Sequence, residues 1–125
     1  MGLMSGLMGN ASNVNKEEVK EELNNILADN EEVESAFKLV RDLIVFTDKR
    51  LLMVDKQGLT GKKVDYHSVP YKSISHFSIE TAGTFDLDAE LKIWISGAQQ
   101  PAISKQFKKD KCIYDIQKIL VHMCL

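Results

Sequence analysis

Apolar and polar positions alternate in short runs through most of this chain, and the runs are densest from Phe37 to Lys63, FKLVRDLIVFTDKRLLMVDKQGLTGKK. Phe37–Val40 stops at Arg41-Asp42, Leu43–Thr47 at Asp48-Lys49-Arg50, and Leu51–Asp55 at Lys56-Gln57-Gly58. Val, Ile, Leu and Phe in the runs, with charge and Gly in the gaps, predict three strands joined by hairpins. Connections this short cannot hold a crossover helix, so the strands are expected to be antiparallel neighbours. Four more strands follow, over Val64–Val69 (closed by Pro70), Ile74–Thr81, Leu87–Ser96 and Ala102–Phe107. In Leu87–Ser96 the alternation is cleanest. Leu87, Ala89, Leu91, Ile93 and Ile95 point one way, and Asp88, Glu90, Lys92, Trp94 and Ser96 the other.

A period near 3.6 replaces the period of two at both ends. Val19, Leu23, Ile26 and Leu27 recur on one stripe behind the capping pair Asn15 and Glu18, which predicts a helix over 16–28 ended by Asp29-Asn30. Cys112, Ile113, Ile116, Ile119, Leu120 and Met123 share one side of a second helix over 111–123, capped by Asp110, with Lys111, Asp115 and Lys118 opposite. Met1 to Ser12 repeats Gly-Leu-Met without a basic n-region or a sustained apolar run, so 1–14 is expected to be a flexible segment and not a secretory signal. The remainder, 15–125, reads as one mainly β domain: a strongly bent, seven-stranded antiparallel barrel or sandwich plugged by the C-terminal helix.

The runs Leu43–Phe46 and Leu51–Val54 are apolar on both faces. One face belongs in the barrel. The other needs a cover, from the N-terminal helix or from another subunit, and this is the best residue-level hint of oligomerisation.

Composition adds exclusions. With 44% hydrophobic and 27% charged residues, the 125-residue chain is of ordinary globular type. Its net charge of −2 argues against nucleic acid as a partner. Before Phe37 two lysines stand against eight carboxylates, while the rest of the chain is net basic. That asymmetry fits an acidic N-terminal helix lying beside a mildly basic body, or facing a neighbouring subunit. Cys112 and Cys124 lie about 18 Å apart on a straight helix, beyond disulfide reach, so reduced thiols and a cytoplasmic location are expected.

With these elements in place, VRDLIVFTDKRLLMVDKQGLTGKK, VPYKSI, ETAGTFDLDAELKIWISG and IYDIQK together resemble the single-domain bacterial pleckstrin-homology-like (PH-like) family. The resemblance runs in register from about Asn10 to Leu120 and includes the GNAS that opens the N-terminal helix. It implies the PH fold, with seven strands in two near-orthogonal sheets and a capping C-terminal helix. It also implies cyclic rings, fivefold for single-domain members, with a hydrophilic interaction surface where strands of neighbouring protomers meet, and no enzymatic activity.

Candidate chemistry is sparse. Arg41, Asp42, Lys49, Glu80, Thr81, Asp86, Asp88, Glu90 and Lys92 are the charged or polar positions in the matched motifs expected to contact a protein partner. Lys56, Lys62 and Lys63 form an alternative contact for anionic lipid headgroups, although the Arg41-Asp42 connection is too short and too acidic to cradle a polyphosphate. Asp86, Asp88 and Glu90 alternate along a strand about 7 Å apart, unlike the converging ligands of a calcium loop. His67, His76 and His122 show no metal-ligand spacing, and no nucleophile, base and orienting group can be placed together. No catalytic residue, metal or cofactor is therefore expected. Trp94, on the polar side of its strand, needs a covering loop or helix unless it anchors an interface.

Overall fold

The computed structural model describes residues 11–39, 42–81, 89–107 and 112–125. At its centre stands the hairpin of β3 (Asp42–Thr47) and β4 (Arg50–Gln57). Its register sets Leu43 opposite Val54, Ile44 opposite Met53, Val45 opposite Leu52 and Phe46 opposite Leu51. Because strand side chains alternate, two apolar faces result, one with Leu43, Val45, Leu52 and Val54 and the other with Ile44, Phe46, Leu51 and Met53. All eight are buried.

Around the hairpin the first sheet runs β1 (Ala11–Asn13), β2 (Val33–Leu39), β3, β4 and β5 (Lys63–Pro70), all antiparallel. A short 3-10 turn at Tyr71–Ser73 leads into a second sheet of β6 (Ile74–Thr81), β7 (Ala89–Ile95) and β8 (Ile103–Phe107). The helix α2 (Cys112–Cys124) closes the core between the sheets, burying Cys112, Ile113, Ile116 and Leu120 beside Phe37, Phe46, Leu91 and Phe107. Phe37 and Phe46 meet edge to face with centroids 6.3 Å apart. The seven expected strands are all present. The expected Asp110 cap, the Lys111 helix start, Val40, Leu87 and residues 1–10 lie outside the described residues.

The second face of the hairpin is covered from within the chain. Helix α1 (Lys16–Glu22) and the turns after it place Val19, Leu23, Ile26 and Leu27 against Leu43, Val45, Leu52 and Val54. The exposed apolar face that hinted at oligomerisation therefore does not exist. The Asn15 side chain caps α1 as its sequence predicts, accepting from the N–H groups of Glu17 at 2.8 Å and Glu18 at 3.2 Å. The helix is shorter than the expected 16–28, ending at Glu22 with Leu23 as its C-cap. Asn24 and Asn25 follow, residues whose side chains compete for backbone groups and favour turns. The apolar stripe survives because Ile26 and Leu27 still bond back to the Leu23 carbonyl, at 2.8 and 2.9 Å. Part of the segment expected to be flexible is also regular. Ala11–Asn13 pairs with Leu39–Phe37 as β1.

One buried ion pair ties this covering segment to the hairpin. Arg50 donates from Nε to Glu31 Oε2 at 2.8 Å and from one terminal nitrogen to Glu31 Oε1 at 2.9 Å. That nitrogen also reaches the Ile26 carbonyl at 2.8 Å, and the other reaches Ser68 Oγ at 2.6 Å. Glu31 is only 4% exposed. Its remaining acceptor sites take the Thr47 hydroxyl at 2.6 Å and the Ala28 N–H at 3.0 Å. Thr47 is held in turn by the β3–β4 turn, accepting from the N–H of Lys49 and of Arg50, while the Tyr71 hydroxyl donates to its carbonyl at 2.6 Å.

Burial by itself would raise the Glu31 carboxyl, but the hydrogen bonds from Arg50, Thr47 and Ala28 outweigh it and hold the group at about 2, against an ordinary 4.5. A carboxyl lowered on folding contributes stability that is complete above its unfolded value and is lost as pH falls from 4.5 toward 2. The shift corresponds to about 3 kcal/mol. Glu31→Gln is accordingly expected to lose about 3 kcal/mol at neutral pH, and its deficit against the wild type should shrink toward zero as the pH approaches 2. Urea unfolding across that range measures both. A deficit that stays constant with pH would show that the carboxylate charge is not what holds the segment.

Candidate interaction surface

The second sheet turns one face to the core and leaves the other polar. Phe77, Ile79, Leu91, Ile93, Ile103 and Phe107 pack inward, so the alternate positions His76, Ser78, Glu80, Glu90, Lys92, Trp94, Ser104 and Gln106 form the outer face. Register brings three of the sequence-predicted residues together. Glu80 pairs directly with Glu90, and Lys92 lies within 3.6 Å of Glu80 and 3.8 Å of Glu90. Ser104 donates to Glu90 Oε2 at 2.6 Å. One ammonium thus serves two carboxylates that would otherwise repel each other across the strands.

At the other end of this face stands Trp94. Its indole N–H donates to the Gln99 carbonyl at 3.2 Å, and His76, directly opposite on β6, stacks on it with centroids 4.3 Å apart and planes 17° from parallel. The loop carrying Gln99 is fixed by Ser75, whose Oγ accepts from the Gly97 N–H at 3.1 Å. Ser96 and Gly97 both take positive φ there, 56° and 73°. Cover comes from a loop and a stacked imidazole, which leaves Trp94 partly exposed. The sequence reading missed His76 and Ser104. Both were legible only once β6 and β8 were aligned on β7, since polarity alternates along each strand and register alone says which polar residues meet.

The other expected residues do not join this face. Thr81 pairs with Ala89 and shares the core-side parity of β6. Asp42 belongs to the first sheet, where it accepts from the Lys56 N–H at 3.1 Å and lies 3.6 Å from the Lys105 ammonium on β8. It ties the two sheets together. Lys49 is exposed in the β3–β4 turn, at the opposite end of the hairpin from Asp42. Arg41, Asp86 and Asp88 lie outside the described residues.

The lysine trio is divided as well. The Lys56 ammonium is taken by Glu22 of α1 at 2.8 Å, whereas Lys62 and Lys63 are exposed. Between Gly58 and Gly61, both at positive φ, the β4–β5 hairpin presents Leu59 fully to solvent. Cys124 is partly buried against the core, and that burial pushes its thiol up. Among the described residues no three His, Cys, Asp or Glu side chains gather as metal ligands, and no helix is long and apolar enough to cross a membrane.

Comparison with known proteins agrees with this architecture. A family model described as bacterial PH domain matches residues 2–124. The uncharacterized protein YjqA of Bacillus subtilis (strain 168) is 68% identical, over 100% of both chains. Among solved structures, a DUF1696-family protein with a pleckstrin-homology domain from Shewanella loihica PV-4 superposes with a TM-score of 0.81 at 54% identity, covering 94% of this chain and 100% of its own. A pleckstrin homology domain from Shewanella amazonensis SB2B gives 0.82 at 52% identity, covering 99% and 94%.

Proposed function

Because the chain belongs to the bacterial PH domain family, we propose that it is a non-catalytic interaction module of the cytoplasm, assembled as a homo-oligomeric ring and binding another protein. The observation that carries this reading is the outer face of β6–β8, where Glu80, Glu90 and Lys92 lie in one cluster and the Trp94–His76 stack gives a partly exposed aromatic platform beside it. Aromatic anchors within a polar rim are the usual anatomy of a protein contact. Ring formation is supported by the sheet margins. β5 and β6 each end their sheet, and six of eight residues on β5 and four of eight on β6 are exposed. With both faces of the β3–β4 hairpin filled within the chain, copies associate through strand edges and polar side chains, giving the hydrophilic seam that the family resemblance implies.

Light scattering after size exclusion, at low micromolar concentration, is expected to give a mass near five times 14.1 kDa. A mass of one chain would remove the ring and leave the partner-binding face to be judged alone. That face has its own test. Glu80→Lys combined with Lys92→Glu conserves net charge, so the variant is expected to fold and to lose proteins that the wild type captures. Unchanged capture would move the partner site elsewhere.

A second reading, contact with an anionic lipid surface, draws support from Leu59, which is fully exposed at a hairpin tip beside Lys62 and Lys63. An apolar tip flanked by ammonium groups suits the headgroup boundary. It ranks second because Lys56 is engaged by Glu22 and because Asp55 and Asp65 lie opposite each other just behind the tip. On this reading Leu59→Ser is expected to weaken co-sedimentation with phosphatidylserine vesicles by about tenfold, and loss of each lysine by about fivefold. Co-sedimentation that ignores the anionic lipid content removes this reading.

A further inference from the structure

Five large apolar side chains stand exposed among the described residues, and three of them, Tyr114 (52%), Val121 (43%) and Leu125 (90%), belong to α2 and its last turn. The Leu125 N–H still bonds to the Val121 carbonyl at 3.0 Å, so the helical path continues to it. At 3.6 residues per turn, positions i, i+7 and i+11 fall within roughly 40° of one another. They form one ridge, turned away from the buried side that carries Ile113, Ile116 and Leu120. The core does not account for this ridge, and a helix with apolar stripes on two sides has one stripe without a partner.

Beside the ridge runs a groove of about 370 Å³ between α2, the start of β2 and the β3–β4 turn. Apolar Ile119 and Met123, acidic Glu34 and Asp48, and Lys118 with His122 line it. Asp48 accepts from the Glu32 N–H at 2.9 Å. Among the described residues, neither Glu34, Asp48 nor Lys118 forms an ion pair, although all three border one groove.

We propose that this ridge and groove form a self-complementary contact through which two copies of the chain pair about a twofold axis, α2 against α2. An isologous contact requires each copy to carry both halves on one patch, and this patch does. The ridge of each copy fills the groove of the other, and Lys118 of each faces the Glu34 and Asp48 carboxylates of the other, giving opposite charges that the single chain leaves apart. A foreign helix would need the groove alone and would leave the neighbouring ridge uncovered. Two 13-residue helices bury less than the ~1,200–2,000 Å² of a standard stable interface, so the contact is weak and concentration-dependent. It is independent of the ring, which uses strand edges.

Sedimentation velocity on the full chain, from about 5 to about 500 µM, reads it directly. The wild type is expected to rise from its base species, whether one chain or a ring, to paired forms of at least twice that mass. Lys118→Glu and Val121→Glu should each abolish the rise while leaving the base species and the thermal melt unchanged. The triple variant K118E/E34K/D48K, with its charges exchanged, should restore it. A base species of one chain that still pairs would refute the ring and keep this proposal. No rise at the top concentration, a rise that survives both single variants, or an unrestored triple variant overturns it, as does binding of an added amphipathic peptide by a chain that never pairs.

Discussion

A hairpin that is apolar on both faces cannot stand at the margin of a small domain, and the rest of this fold follows from that constraint. The eight alternating side chains from Leu43 to Phe46 and Leu51 to Val54 demand two separate covers. The second sheet and α2 supply one, and the segment from Val14 to Leu27 supplies the other. At about 1.5–3 kcal/mol for each of its four apolar side chains, leaving either face wet would cost an amount comparable to the whole net stability of a domain of this size. The N-terminal segment, though short in regular structure, is therefore part of the folding unit.

Apolar contact holds that segment down without fixing where its connection to β2 must lie. The Glu31–Arg50 pair does that. A buried pair seldom adds net stability over an apolar pair of the same shape, yet removing one partner leaves an uncompensated charge, so the cost of a misplaced segment is steep. Arginine suits this role better than lysine would. Its planar fork meets both Glu31 oxygens and still reaches Ile26 and Ser68, joining the covering segment, the hairpin and β5 through one side chain.

Local patterns were readable in the sequence where they decide structure locally. The Asn15 cap, the alternation in β7 and the charged Asp48-Lys49 break between β3 and β4 lie where the residues indicate, whereas Asp42, expected in the break before β3, pairs with Leu39 as its first residue. Features that depend on distant partners were not. Glu31 and Arg50 sit 19 positions apart and each looks like an ordinary surface charge in the sequence. Ala11–Asn13 has no strand pattern of its own and becomes β1 only because β2 offers it an edge. The candidate surface divides along the same line. Glu80, Glu90 and Lys92 met because β6 and β7 share a parity that alternation reveals, whereas Asp42 and Lys49 were grouped by charge alone, and the fold sends them to opposite ends of the central hairpin.

Filling both hairpin faces from within also restricts how copies of the chain can meet. A ring held by a shared apolar core would need the covering segment displaced, and that segment is fastened by the Lys56–Glu22 pair on α1, by the Lys20–Glu32 pair between α1 and the connection to β2, and by the buried Glu31–Arg50 pair on that connection. The same contacts absorb part of the acidic excess that the sequence concentrates before Phe37, using it within the chain. For the proposed ring this leaves backbone edges and the polar side chains around them, separate from the apolar α2 ridge proposed for pairing. Main-chain hydrogen bonds along an edge give affinity without discrimination, so selectivity must come from the alternate side chains that flank it. On β5 those are Lys63, Asp65 and His67, all exposed and of mixed charge. Residues of this kind keep an open edge from pairing indiscriminately, since a like-charged neighbour is repelled while one of complementary pattern is admitted.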